Sequence, residues 1–174
     1  MPQDTLPSLF MRRTDLRNLP APEVPAGYRV RLAHAGDAMP LAALLQRSFP
    51  EMEWNAGHVR DRLLNDPTVQ SVAVIECSSL LVATASARLL PETYPGSGYV
   101  HWVGADPDHR GKRLGYHITL FILQEFVHLG CQDAVLETDD WRTPAIRVYA
   151  KLGFRPEFRH ASHADRWHAL ETTG

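Results

Sequence analysis

Apolar and polar residues alternate through Tyr28-Arg29-Val30-Arg31-Leu32, the period of a strand with one buried face. Met39, Leu41, Leu44, Leu45 and Phe49 then recur at helical spacing, and Asp37 stands where a helix cap is expected. A second helix is predicted over residues 57–64. Residues 72–76 and 81–90 read as a pair of strands with Ser78-Ser79 at the turn. Residues 91–98 form a loop containing Tyr94. A strand over 99–105, a turn at Asp106-Pro107-Asp108 and a long helix from Leu114 to Leu129 follow. Residues 134–138 read as a strand. The next helix has Pro144 in its first turn and Gly153 just past its end. Residues 154–158 and 166–170 are predicted as two closing strands.

The first 27 residues carry Pro2, Pro7, Pro20, Pro22 and Pro25 and read as an extended arm rather than a domain. Leu6, Leu9, Phe10, Met11 and Leu16 can pack that arm onto the body or onto a second subunit, which makes a homodimer an expectation. No internal repeat or low-complexity tract is present. Residues 28–174 make up the body.

A chain of 174 residues is most simply one domain, with enough length for a real core. The net charge of −2 implies no strong field for nucleic acid or membrane surface. No apolar run approaches membrane-spanning length. Asp4 interrupts the N-terminus, where no signal-peptide core is found. Cys77 and Cys131 are isolated and read as reduced thiols of a cytoplasmic protein. His160, His163 and His168 lack a zinc spacing and a companion cysteine pair, so no metal is expected.

The most informative run is His109-Arg110-Gly111-Lys112-Arg113-Leu114-Gly115, set between a predicted strand and a predicted helix. Helix-opening N–H groups lack internal partners, and the helix dipole puts partial positive charge there. Gly111 and Gly115 let the loop curl, and Arg110, Lys112 and Arg113 add full charges. A pyrophosphate suits such a site. Two phosphate motifs fail on spacing. Counted from Gly104, a P-loop would need its second glycine at His109, and Arg113 occupies the place of Ser or Thr. The Gly-x-Gly-x-x-Gly dinucleotide fingerprint is absent. A solvated basic helix start is the alternative.

Together with Pro144-Ala145-Ile146-Arg147-Val148-Tyr149-Ala150-Lys151-Leu152-Gly153-Phe154, this loop resembles the Gcn5-related N-acetyltransferase (GNAT) superfamily. There the loop reads Arg/Gln-x-x-Gly-x-Gly/Ala and the later helix Asn-x-x-Ala-x-x-x-Tyr-x-Lys-x-Gly-Phe. Arg110 and Gly115 match the ends of the loop motif, while Arg113 replaces its middle glycine. Ala145, Tyr149, Lys151, Gly153 and Phe154 match in register, and Arg142 stands for the asparagine. The resemblance covers residues 99–158.

The periodicity alone yields a mixed α/β domain with a central sheet. The resemblance implies a single GNAT-like α/β domain, a mixed central sheet flanked by helices, in the order β-α-α-β-β-β-α-β-α-β-β. It implies acetyl transfer from acetyl-CoA to a primary amine, on a small molecule or a protein, by direct attack. Coenzyme A would lie with its pyrophosphate on Arg110, Gly111, Lys112, Arg113, Leu114 and Gly115. Its pantetheine arm would run along Val103, Gly104 and Ala105, pairing as an added strand. Arg142 would reach phosphate or carbonyl groups, or else be solvated.

Tyr149 is the candidate general acid, protonating the leaving thiolate; a half-buried core tyrosine is the rival reading. His101 is the candidate general base, expected on the same strand face as Val103 two residues on. Glu137, Asp139 and Asp140 compete with it, and one of the aspartates is expected to cap the following helix. Glu51, Glu53, Trp54, Tyr94 and the C-terminal hairpin are candidates for the acceptor site. A non-catalytic acyl-CoA sensor with a closed acceptor cleft remains a second reading of the same motifs.

Overall fold

The structure is a computed structural model that describes residues 6–172, so Pro2 and Asp4 of the arm lie outside the described residues. A seven-stranded sheet runs in the order β2-β3-β4-β5-β6-β1-β7. Its strands are β1 (Leu9–Arg13), β2 (Tyr28–Leu32), β3 (Val69–Cys77), β4 (Leu80–Leu89), β5 (Ser97–Ala105), β6 (Asp133–Thr138) and β7 (Arg155–Pro156). The helices are α1 (Ala38–Ser48), α2 (Ala56–Val59, continued by a π turn, Arg60–Leu64), α3 (Leu114–His128), α4 (Thr143–Lys151) and α5 (His163–Thr172). All pairings are antiparallel except β5 with β6.

Strand alternation places helices on both faces of the sheet. Ala73 and Ile75 of β3 pack into the cluster built around α3, with Tyr149 and Phe154. Their neighbours Val72 and Val74 pack on the other face with Leu41, Leu44 and Leu45 of α1. The β3–β4 turn is made by Ser78 and Ser79, both left-handed (φ 49° and 67°), which matches the twist of a two-residue hairpin.

Four expectations change. The N-terminal stretch is no simple arm, because Leu9–Arg13 is a strand inserted between β6 and β7. Leu9 and Met11 are buried against the α3 core and Phe10 against Tyr94 and Val135, so these residues are covered within one chain. Asp37 gives α1 no side-chain cap. It is buried instead, takes a bidentate contact from Arg31 (2.8 and 2.9 Å) and accepts from the His34 N–H. The predicted strand over 154–158 shrinks to Arg155–Pro156. The proline there has no N–H for a ladder.

The fourth change is residues 166–170, which lie in α5. Their five residues fit alternation. The longer set of His163, Trp167 and Leu170, which turns inward, has helical spacing that the shorter window hides. The C-terminal hairpin expected at the acceptor site is therefore absent. Arg166 of α5 holds Asp140 with two guanidinium nitrogens (2.9 Å each) and donates to the Pro7 carbonyl (2.8 Å). This ties the C-terminal helix to the loop after β6 and to the segment before β1. Among the described residues no helix is long and apolar enough to cross a membrane.

Gly98 is required where β5 meets α3. A Cβ there would stand 2.2 Å from the fully buried Phe126 ring. Gly98→Ala is expected to cost at least about 1–3 kcal/mol by overpacking, read from urea unfolding. Gly115→Ala is the control, since its Cβ meets nothing within 4 Å; it is expected to be neutral or slightly stabilising.

Candidate active site

Strands β5 and β6 pair only at Ser97–Asp133, Gly98–Ala134 and Tyr99–Val135, then part. At Trp102 the β5 backbone turns left-handed (φ 47°), and its pairing with β4 jumps from Ser86–His101 to Thr84–Gly104. This is a β-bulge, which bends its strand and increases the local twist. The edge of β5 that β6 abandons is open to a guest.

Two cavities meet along this opening. One, of about 540 Å³, is walled by Phe49, Glu51, Tyr99, His101, Trp102, Glu137 and Asp139 among others. The second, of about 500 Å³, runs past Val103, Gly104 and Ala105 to Arg110, Gly111, Arg113, Leu114 and Gly115. Val103, Trp141, Arg142, Ala145 and Tyr149 line both.

The second cavity ends on the start of α3. No side chain caps this end, so its first N–H groups face the cavity unpaired. A Cβ built on Gly111 or Gly115 meets nothing within 4 Å, so the cradle has room. Arg113 is left-handed (φ 56°), the conformation that the replaced glycine adopts freely, and its guanidinium lies 4.6 Å above the Tyr116 ring. Arg110 is exposed, lines the cavity and has no ion-pair partner among the described residues. Lys112 is exposed and lies outside the cavity wall. Arg47, which sequence reasoning missed, lines the same cavity and pairs with Asp106 at 2.8 Å. Gly104 serves packing as well as access, because a Cβ there would be 2.9 Å from the Ser48 side chain of α1.

Tyr149 is 7 % exposed. Burial pushes its hydroxyl up to about 12, so it stays protonated at neutral pH. Arg142 is neither solvated nor free. It donates to Glu51 and to Asp139 (3.3 Å), with its guanidinium 4.0 Å from the Trp141 ring centroid and 4.7 Å from that of Phe49. It thereby straps the loop after β6 to the end of α1, across the junction of the cavities. It is also the residue before α4, which no side chain caps, so neither Asp139 nor Asp140 caps that helix. Asp140 is committed to Arg166.

The bulge changes the neighbours of His101. In a regular strand it would share a face with Val103. Here its ring lies 5.2 Å from Trp102, its immediate neighbour, and 5.6 Å from Tyr99, while Val103 packs towards the α3 core. Burial, aided by the Arg88 charge, pushes the imidazole down to about 4, and its Nδ1 is buried without a partner. Glu137 accepts from the Tyr94 hydroxyl (2.8 Å). Of the other acceptor candidates, Glu51 is on the wall. Trp54 is buried against the ring of Trp102, and Glu53 is exposed and lies outside that wall. Among the described residues no group of His, Cys, Asp and Glu is arranged to hold a metal.

The sequence profile described as the Acetyltransferase (GNAT) family matches residues 39–154, reaching back into α1. A mycothiol acetyltransferase of Thermobispora bispora is 33% identical over 155 residues, which are 83% of this chain and 52% of that protein. A glucosamine 6-phosphate N-acetyltransferase of Trypanosoma brucei brucei is 27% identical over 74% of this chain and 80% of its own. The chain spans about half the length of the mycothiol acetyltransferases it matches over most of its length. Among solved structures, a GCN5-related N-acetyltransferase from Sphaerobacter thermophilus superposes with a TM-score of 0.69 at 19% identity, covering 87% of this chain and 50% of that one. That likeness establishes the fold.

The state of His101 has a consequence for stability. Unfolded, its imidazole titrates near 6.5; folded, near 4. Between these values the unfolded chain takes up a proton that the folded chain refuses, so stability falls as pH drops through that window. His117 is lowered too, chiefly by burial. Melting temperatures at about pH 7 and about pH 5 should therefore differ less for His101→Gln than for the parent. Equal differences would show that the imidazole is not held neutral.

Proposed function

The chain belongs to the Acetyltransferase (GNAT) family, and from that premise we propose that it moves an acetyl group from acetyl-CoA to a primary amine by direct transfer. The observation that carries this reading is the junction of the two cavities at Val103, Ala145 and Tyr149. The cavity with the uncapped helix start takes the donor, and the one with the carboxylates takes the acceptor. Tyr149 lines both, which favours a catalyst over a sensor with a closed acceptor cleft.

The residues fit coenzyme A. Its pyrophosphate is doubly anionic, and the end of the donor cavity presents N–H groups, room at Gly111 and Gly115, and the unpaired Arg110. Lys112 and Arg113 add positive potential. The free edge of β5 over Val103, Gly104 and Ala105 offers backbone groups to an extended amide chain. Bound there, acetyl-CoA supplies an activated thioester.

The chain's own work is placement and proton handling. Backbone N–H groups on the free β5 edge are available to the carbonyl oxygen as it gains charge. Tyr149 donates its hydroxyl to the departing sulfur. A phenol near 12 is a weak acid beside a thiol near 8.5, so its contribution is chiefly a hydrogen bond to the developing thiolate. The amine proton becomes acidic once the new C–N bond forms. His101, held neutral on the wall of the acceptor cavity, accepts it directly or through water. Because His101 carries no proton above about pH 5, the acid limb of the rate profile should follow the acceptor amine.

Two variants test the reading. Gly115→Glu places a carboxylate in open space at the anion cradle, so the protein should stay folded while acetyl-CoA affinity falls by at least about a hundredfold in calorimetric titration. Unchanged affinity in the folded variant would refute the donor site. Tyr149→Phe should bind acetyl-CoA normally and lose about 10²-fold in kcat, the low end for acid catalysis. Full single-turnover rate would make Tyr149 a packing residue.

A further inference from the structure

We propose that Glu137 selects the acceptor: the site takes an amine that carries a second positive centre, such as an alkyl diamine, and rejects phosphorylated amines. This rests on the assignment of the 540 Å³ cavity to the acceptor. Its charged wall residues are Glu51, Glu137, Asp139 and Arg142. Arg142 is fully engaged, held by Glu51 and Asp139 and stacked on Trp141 and Phe49. His101 is held neutral.

Glu137 is therefore the wall carboxylate without a cationic partner among the described residues. It is not loose, because the Tyr94 hydroxyl donates to it at 2.8 Å. Tyr94 is in turn stacked on Tyr99 at 5.6 Å, with 5° between the ring planes, and Tyr99 lines the same cavity. A fixed carboxylate beside aromatic faces attracts an ammonium group through charge and ring quadrupole together. One more cation approaches this wall from β7's side: Arg159 lies 5.2 Å from the Tyr94 ring centroid and its charge acts on the Tyr94 hydroxyl, but it pairs with Glu157 (2.8 Å) and stacks on Phe10.

The amine that is acetylated belongs at the Tyr149 end, where the cavities meet. The second cation belongs at Glu137. A phosphate placed there would face Glu137 with no free cation lining the cavity. The wall is thus opposite in charge to what a phosphorylated amino sugar, the acceptor named for the T. brucei relative, requires.

The test uses the full chain with putrescine, butylamine and glucosamine 6-phosphate as probes. With acetyl-CoA, kcat/KM for putrescine should exceed that for butylamine by about tenfold, through KM, and the ratio should shrink as salt is added. Glucosamine 6-phosphate should be the poorest. Glu137→Gln should bring the putrescine-to-butylamine ratio close to one. If Glu137 were instead the base, that variant would lower kcat on both amines and leave the ratio intact, which would overturn the proposal. Calorimetric titration of putrescine into the protein alone gives a readout independent of turnover. Binding that weakens in Glu137→Gln supports the assignment even if no amine is acetylated, an outcome that would sink the transferase reading only. Equal putrescine binding by parent and variant, or a preference for glucosamine 6-phosphate, would overturn it.

Discussion

Strands β5 and β6 share three residue pairs and then separate, and the site depends on that parting. Parallel strands normally stay paired because each unmade ladder bond leaves backbone groups unsatisfied. Here the bulge at Trp102 turns β5 aside and leaves an edge that a ligand can complete. The same extra residue sets His101 and Trp102 side by side on the wall of the first cavity, while Val103 also packs against the α3 core. Tyr149 reaches both cavities because α4 crosses the opening. One local irregularity thus shapes both cavities and the line along which they meet.

Charge around the opening is arranged in layers. Arg142 takes up Glu51 and Asp139 at the junction, and Arg166 takes up Asp140 behind it. Arg47 takes up Asp106 at the donor end. Among the described residues these contacts leave Arg110, with Lys112 and Arg113 beside it, at one cavity and Glu137 at the other as groups without an ion-pair partner. Arg113 carries a local cost for its place. A left-handed non-glycine residue is unfavourable by about 1–2 kcal/mol, and its guanidinium offsets part of that by stacking on Tyr116.

The half proposed for the donor was legible because it is built from contiguous residues. Arg110, Gly111 and Gly115 open a helix, and their positions follow from local backbone geometry alone. Tyr149 was legible through its register with Lys151, Gly153 and Phe154. The acceptor half was less so. Glu51 and Glu137 are separated by about half of the chain, and nothing in their neighbourhoods marks them as sharing a wall. Trp141, which is 63 % exposed over the junction, and Arg47 carried no motif at all.

By itself the sequence determined the elements in which one period runs unbroken: β2, α1, the β3–β4 hairpin with its serine turn, α3, β6 and α4. Each has enough apolar positions for one period to prevail over the other. It also marked the basic, glycine-bearing start of α3 that is proposed to cradle an anion. Tertiary structure decided the rest. Leu9–Arg13 became a strand only because β6 and β7 offered it two ladders. Residues 166–170 became helix because His163 and Trp167 bury on one side and Arg166 reaches Asp140. The bulge was set by how β4 and β5 meet, and that is not written in a window of five residues. Short segments carry too little burial of their own to choose a state, so their neighbours choose for them.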